Sequence, residues 1–247
     1  MNRNYYLRLI NSTYHQAVDI LLKKYGAVKE NYFLGSIKNK NITKTDKGLF
    51  CHHILENIIP NLSDVTSAKN YPKVFQHKKY LVYCNMLEHY ILHYLIFKEK
   101  DVQYKNYGIG GILHSLGINL NSIYFNETIN SPNYDKIKEV IDKDYYSYLV
   151  VLEKTINLIE KRNEKRESKL NINLLFRTQK GLSVESSLKN DLILLQENKK
   201  INESLKLLTV NEKNKLKYCL LKLNALKTEQ KFIKQCEWER WFSLFLL

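Results

Sequence analysis

Four histidines in the first half of the chain have the residue type and spacing of a metal-dependent hydrolytic site. His89 and His93 lie four residues apart in a segment with helical periodicity, so both imidazoles project from one face of that helix. Two neutral imidazoles at this spacing can bind one divalent metal ion. His52 and His53 are adjacent at the end of a short apolar run, where an extended backbone points their side chains to opposite sides. One can therefore bind the metal while the other faces an attacking water.

The chemistry that suits this group is phosphodiester hydrolysis. A phosphodiester is anionic and resists attack by water. A neutral imidazole can accept the proton of the water, which typically contributes about 10²–10⁴-fold to the rate. The metal ion neutralises charge on the scissile phosphate and on the leaving 3′-oxygen. We therefore expect one divalent ion as the cofactor, with Mg²⁺, Mn²⁺, Zn²⁺ and Ni²⁺ as the alternatives.

The two histidine segments resemble the core of the HNH, or His-Me finger, endonucleases, and most closely that of the nuclease colicins. The resemblance lies in Cys51-His52-His53-Ile54 and in the stretch from Tyr80 to His93, within a wider similarity over about residues 20–125 that uncharacterised bacterial and phage HNH-like proteins share. It implies a strand, loop, strand and helix around one metal ion, the ββα-metal core. It also implies that His53 is the general base and that His52, His89 and His93 are metal ligands.

The chain departs from the family pattern at one position. The family has an Asn nine residues before the first helical histidine, and that Asn orients the ring of the general base. Tyr80 occupies this position here. We expect His53 to be oriented by the phenolic oxygen of Tyr80, by a backbone carbonyl, or by Asn85 or Asn70.

Lysines on both sides of the His52-His53 pair are expected to bind the phosphate backbone of the substrate. Such contacts position a nucleic acid and carry no sequence information. The lysines are Lys38, Lys40, Lys44, Lys47, Lys73, Lys78 and Lys79. The resemblance makes double-stranded DNA the expected partner.

The composition agrees with a polyanionic partner without identifying it. Lys and Arg number 39 against 25 Asp and Glu, a net charge of +14. Nucleic acid and an anionic membrane both fit this charge, and many Lys- and Asn-rich proteins are basic with neither partner. The four cysteines contain no CxxC pair, which disfavours a zinc knuckle or ribbon. Four cysteines in a chain of 247 residues do not suggest a disulfide framework. The chain shows no signal peptide and no apolar run of membrane-spanning length, so we expect a cytoplasmic protein without a membrane partner.

Hydrophobic periodicity indicates the elements that would position the histidines. One helix is expected over residues 5–25 and another from about Asn85 to Lys98. Short strands are expected at 49–54 and 80–84, with a loop over 57–79 between them. Glu88 is expected to be solvated, and the Gly108–Gly111 cluster to be a turn rather than a phosphate cradle.

The remainder of the chain predicts helices, over about residues 140–168, 184–209 and 211–241. The expected fold class is therefore α+β and mainly helical. A nuclease domain at 1–125, with its core at about 48–98, would be followed by a helical region at 126–247. That region could recognise DNA through a helix-turn-helix or form a partner surface. Its apolar end, Trp241 to Leu247, needs burial against the body or against a second copy in a homodimer.

These features predict a metal-dependent DNA endonuclease, with restriction, phage defence or a mobile element as its setting. Two alternatives use the same residues. One is an RNA-cleaving nuclease or toxin with the same core. The other is a non-catalytic nucleic-acid-binding protein on a degenerate HNH scaffold, which the Tyr80 position suggests.

Overall fold

A computed structural model shows a mainly helical α+β protein. It describes residues 3–42, 45–100, 107–127, 133–141, 144–165 and 169–207. The helices are α1 (Arg3–Asn11), α2 (Tyr14–Tyr25), α3 (Val65–Ala68), α4 (Met86–Glu99), α5 (Ile109–Gly111), α6 (Gly117–Tyr124), α7 (Tyr134–Ile141), α8 (Tyr145–Glu164) and α9 (Glu185–Leu207). The strands are β1 (Phe33–Leu34), β2 (Ile37–Lys38), β3 (Phe50–His53) and β4 (Leu81–Cys84), in two antiparallel sheets of two strands each. The predicted fold class is confirmed at this level.

The chain forms two compact units, Met1–Leu192 and Ile193–Leu247. Helices α7 and α8 therefore belong to the same unit as the four histidines. The functional division at residue 125 stays a prediction, and the helix expected at 211–241 lies outside the described residues. No described helix is long and apolar enough to cross a membrane.

The N-terminal segment is two helices, so the prediction of one helix over 5–25 is wrong. The break lies at Thr13, whose backbone is extended and whose side chain accepts a hydrogen bond from the backbone N–H of Gln16. The Gln16 side chain in turn accepts from the backbone N–H of Thr13. This capping box starts a new helix, and periodicity alone does not reveal it because the apolar spacing continues across the break.

Strands β3 and β4 pair antiparallel and bring the His52-His53 pair against the start of α4. His52 lies opposite Val82 and His53 opposite Leu81. Every residue of β4 is buried, as are both histidines of β3. The connection between the strands is expected to be a loop, but it contains α3 and several 3-10 turns.

Helix α4 begins where its sequence signals place it. The Asn85 side chain accepts from the backbone N–H of Glu88, and the Glu88 carboxylate accepts from the backbone N–H of Asn85. The expectation that Glu88 is solvated is wrong, since it is completely buried. Its carboxylate also accepts hydrogen bonds from Tyr5, Tyr25 and Lys24, because α1 and α2 pack over the start of α4.

Helix α8 covers the other end of α4. The guanidinium of Arg162 donates to the carbonyls of Phe97 and Lys100, at 2.7 and 2.8 Å. The carbonyl of Phe97 belongs to the last turn of α4 and that of Lys100 to the residue that caps the helix, so neither is used within α4. Within the described residues, the helix expected over 140–168 corresponds to the end of α7, at Ile141, and to α8, Tyr145–Glu164. Both ends of the helix that carries His89 and His93 are thus held by hydrogen bonds from other elements.

Candidate metal and catalytic site

Three histidines and one glutamate converge between β3 and α4. The ring centroids of His52, His89 and His93 form a nearly equilateral triangle with sides of 5.0, 5.3 and 5.0 Å. Glu56 joins them from the 3-10 turn that follows β3. One ligand atom from each of the four side chains lies within 4.8 Å of the other three, so the cluster could hold a metal ion.

A hydrogen bond from His52 to Tyr14 of α2 directs the lone pair of His52 into the cluster. The Tyr14 hydroxyl lies 2.9 Å from His52 Nε2 and 2.9 Å from the carbonyl oxygen of Ile54. A carbonyl can only accept, so the hydroxyl donates to Ile54 and accepts from Nε2–H of His52. Burial raises the pKa of Tyr14 well above its usual value and keeps the hydroxyl protonated. The lone pair of His52 is therefore on Nδ1, which faces Glu56 at 3.3 Å.

The backbone of Gly108 orients His93 in the same way. His93 Nδ1 lies 3.1 Å from the Gly108 carbonyl oxygen, so Nδ1 carries the proton and the lone pair is on Nε2, 3.6 Å from Glu56. The glycines permit this approach. A Cβ on Gly111 would lie 2.7 Å from the His93 ring, and one on Gly108 would lie 2.2 Å from the His93 carbonyl oxygen. The Gly108–Gly111 cluster thus packs on α4.

The imidazole nitrogens of His52 and His93 that face Glu56 are both acceptors. Burial lowers the pKa of His52, His89 and His93, that of His93 to about 4, so the rings are neutral. Burial raises the pKa of Glu56 to about 8. Nδ1 of His52 and Nδ1 of His89 are buried without a hydrogen-bond partner. Buried acceptors without donors are costly, and a cation relieves that cost. Three imidazole nitrogens and one carboxylate oxygen suit a borderline transition metal, so the residues fit such an ion.

His53 lines the same cleft as the cluster and has a fixed tautomer. The side-chain amide of Gln76 donates to the carbonyl of Leu62 at 3.1 Å, which leaves its oxygen facing His53 Nε2 at 2.8 Å. Nε2 of His53 therefore carries the proton, and Nδ1 carries the lone pair and has no hydrogen-bond partner. Burial lowers the pKa of His53 to about 4, against a smaller opposite effect of Gln76. His53 is a neutral base at neutral pH.

The residue that orients His53 is thus Gln76, which none of the expected candidates includes. Tyr80 has its ring contacts with Phe75 and Lys79. Asn85 caps α4 and donates to Tyr6, while Asn70 lies at an exposed turn. Gln76 reaches His53 because the 3-10 turn Lys73–Gln76 precedes β4. No sequence motif predicts this turn.

Glu56 is the other functional residue that sequence reasoning missed. It follows His52 by four residues, but the sequence predicts the end of a strand here. In a strand, residues four apart are not brought together as they are in a helical turn. A 3-10 turn begins directly after His53 and returns the carboxylate to Nδ1 of His52. The His-His-x-x-Glu pattern was therefore the available signal.

The cleft in front of the histidines has a volume of about 620 Å³ and a basic edge. Lys38 lines it and lies 4.9 Å from the ring of Tyr32, which itself contacts His53 at 4.2 Å between ring centroids. Of the other lysines expected to bind phosphate, Lys73 lines a second cleft, and Lys44 lies outside the described residues. The remaining four are exposed and line neither cleft: Lys40, Lys47, Lys78 and Lys79.

Comparison with protein-family models, with curated proteins and with solved structures found no match to this chain. The site is therefore interpreted from its own geometry.

Replacing Tyr14 with Phe is expected to weaken metal binding by about 10–100-fold, because the hydroxyl orients His52 without touching the ion. The measurement is titration of metal-depleted, untagged protein with Co²⁺ or Zn²⁺. The imidazole ¹⁵N shifts of the metal-free protein report the tautomer of His52. Without the Tyr14 hydroxyl, His52 is expected to populate both tautomers. Tyr148→Phe is the control, since it removes one buried hydroxyl that donates to Asn121. Equal metal affinity in wild type and Tyr14→Phe would contradict the assigned role.

Proposed function

We propose that the protein is a metal-dependent endonuclease that hydrolyses phosphodiester bonds of DNA. The observation that carries the proposal is that His53, a neutral base whose buried Nδ1 has no hydrogen-bond partner, lines the same cleft as the His52, Glu56, His89 and His93 cluster. A metal-binding cluster alone is compatible with storage or structure. An oriented base that lines the same cleft, with Lys38 also in that lining, supports hydrolysis of an anionic ester.

The arrangement of the elements supports an HNH-like ββα-metal core. Two antiparallel strands, β3 and β4, are followed at once by α4, and the cluster lies between β3 and α4. In this proposal Gln76 performs the orienting role that the resemblance assigns to an Asn, and Glu56 adds a carboxylate to the three imidazoles. Tyr80 then has no catalytic role.

In the proposed mechanism His53 accepts the proton of the attacking water at Nδ1. The water oxygen bonds to phosphorus, the bond to the 3′-oxygen breaks, and the leaving 3′-oxygen takes a proton from solvent, which produces a 5′-phosphate and a 3′-hydroxyl end. Gln76 keeps Nε2–H of His53 engaged, so that Nδ1 is the basic nitrogen throughout. Lys38 at the cleft edge attracts the substrate phosphate.

The residues that would hold the ion are His52, Glu56, His89 and His93. When bound, a divalent ion supplies charge neutralisation at the scissile phosphate and at the leaving oxygen. A bound cation would favour the deprotonated form of Glu56, which then contributes the negative charge that the three neutral imidazoles lack. Tyr14 and the Gly108 carbonyl hold two of the imidazoles in the tautomers that direct lone pairs inward.

The test is cleavage of plasmid DNA by metal-depleted, untagged protein supplied with Mg²⁺, Mn²⁺, Zn²⁺ or Ni²⁺ in separate reactions. We expect nicked and linear plasmid with at least one of these ions and none with EDTA. Single-stranded DNA and structured RNA are assayed in parallel. Cleavage of RNA alone would replace DNA as the substrate, and binding of DNA without cleavage under any ion would contradict the enzymatic proposal.

A further inference from the structure

A narrow hairpin with an apolar tip stands between two clefts of the protein. Strands β1 and β2 are joined by Gly35 and Ser36, and the positive φ of Gly35, 66°, permits this tight turn. Leu34 and Ile37 lie opposite each other at the tip, 62% and 73% exposed. The two side chains form a small exposed apolar patch at the tip of the hairpin.

Backbone hydrogen bonds hold the lower end of the hairpin in place next to His53, the proposed general base. Tyr32 is buried in a core cluster and accepts at its carbonyl from the backbone N–H of Asn39 at 2.9 Å. The backbone N–H of Tyr32 donates to the carbonyl of Gln76 at 2.9 Å, and the Gln76 side chain orients His53. A molecule in contact with the tip would therefore be held at a set distance from His53.

The two sides of the hairpin have similar chemistry. One side faces the histidine cleft through Tyr32 and Lys38. Residues of the hairpin, among them Phe33 and its turn, also line a second cleft of about 370 Å³. That cleft contains two lysines and an exposed tyrosine, namely Lys69, Lys73 and Tyr71. Both clefts contain lysine and aromatic side chains, and an apolar tip stands between them. This combination suits a nucleic acid, which has an anionic backbone and flat, partly apolar bases.

We propose that the β1–β2 hairpin is a wedge that inserts Leu34 and Ile37 between neighbouring bases of bound DNA, while the phosphate backbone lies in the clefts on either side. Inserted aliphatic side chains unstack a base step and bend the duplex, which lets more of the protein contact the backbone. The wedge is a way of binding the DNA substrate, so this inference rests on the proposed function. It favours cleavage at steps that unstack easily, such as pyrimidine–purine steps.

The test is permanganate reactivity of thymines along a DNA fragment, because permanganate attacks unstacked thymines and requires no knowledge of the target sequence. The His53→Ala protein is used so that binding is observed without rapid cleavage. We expect a several-fold rise in reactivity at bound positions. Adding Leu34→Ser and Ile37→Ser is expected to return reactivity to that of free DNA. The salt dependence of binding is expected to persist, because the lysines are unchanged.

A matched control is Leu182→Ser with Ile193→Ser, two exposed aliphatic residues that line neither cleft. This control is expected to unstack thymines as the parent does. Thymine reactivity that survives the hairpin substitutions would overturn the wedge, as would self-association that those substitutions abolish. Cleavage of DNA without unstacking would reject the wedge alone, whereas absence of DNA binding by every variant would reject the proposed function itself.

Discussion

Replacing His89 with Ala is expected to abolish DNA cleavage and to weaken metal binding by more than about 100-fold, beyond the loss typical of a residue that only orients a ligand. Nδ1 of His89 is buried without a hydrogen-bond partner, and the ring lies 5.0 Å from the rings of both His52 and His93. Its removal leaves three donors around the proposed ion, one of them Glu56, and opens a position to water.

Thermal unfolding provides a readout of this loss that is independent of activity. A ligand that binds only the folded state stabilises it by about 2.7 kcal/mol when its free concentration is about 100 times its Kd. Metal is therefore expected to raise the Tm of the wild type and to leave that of His89→Ala nearly unchanged. His15→Ala is the matched control, since His15 is exposed and lines neither cleft. A metal-induced rise in Tm of equal size in His89→Ala would remove this residue from the ligand set.

Replacing His53 with Ala is expected to lower the rate of DNA cleavage by about 10²–10⁴-fold while leaving metal affinity close to that of the wild type. The ring accepts the proton of the attacking water in the proposed mechanism, but it is absent from the metal-binding cluster. The measurements are single-turnover cleavage at saturating metal and a separate metal titration. Loss of metal binding in this variant would make His53 a ligand or a structural residue instead.

The role of Gln76 is tested by the same pair of measurements on Gln76→Leu. Leucine keeps much of the volume and removes the oxygen that accepts from Nε2–H of His53. The proton of His53 is then free to move to Nδ1, so cleavage is expected to slow while metal affinity persists. Gln76→Glu separates orientation from packing, because its carboxylate still accepts from Nε2–H. Recovery of activity in that variant would support orientation, and equal loss in both would indicate a packing role.

Metal binding and base orientation depend on different contacts, which makes these variants informative together. Tyr14 and the Gly108 carbonyl act on the cluster, whereas Gln76 acts on His53. The two groups meet at β3, which carries His52 and His53, and both histidines line the same cleft. We therefore expect two distinct groups of variants. One group loses metal binding, and the other retains metal binding but cleaves DNA more slowly.

Local features of the sequence determined the central part of the site. The spacing of His89 and His93 places both rings on one face of α4, and the Asn85–Glu88 capping box starts that helix in the required register. These signals depend on residues three or four positions apart, so they can be recognised in the sequence without knowledge of the tertiary structure. The family resemblance implied the order strand, strand and helix, which β3, β4 and α4 follow, and the structure adds the antiparallel pairing of β3 with β4.

Only the tertiary structure decided which further residues complete the site. Tyr14 reaches His52 because α2 packs over β3 and β4, and Gln76 reaches His53 because a 3-10 turn precedes β4. Glu56 joins the cluster through a turn that its segment gave no reason to expect. Such contacts depend on packing between elements distant in the chain or on local turns without a repeating pattern. The spacing of residue types thus established that four histidines could act together, and the packing of α2, the turns and the glycines decided which of their nitrogens carry the lone pairs.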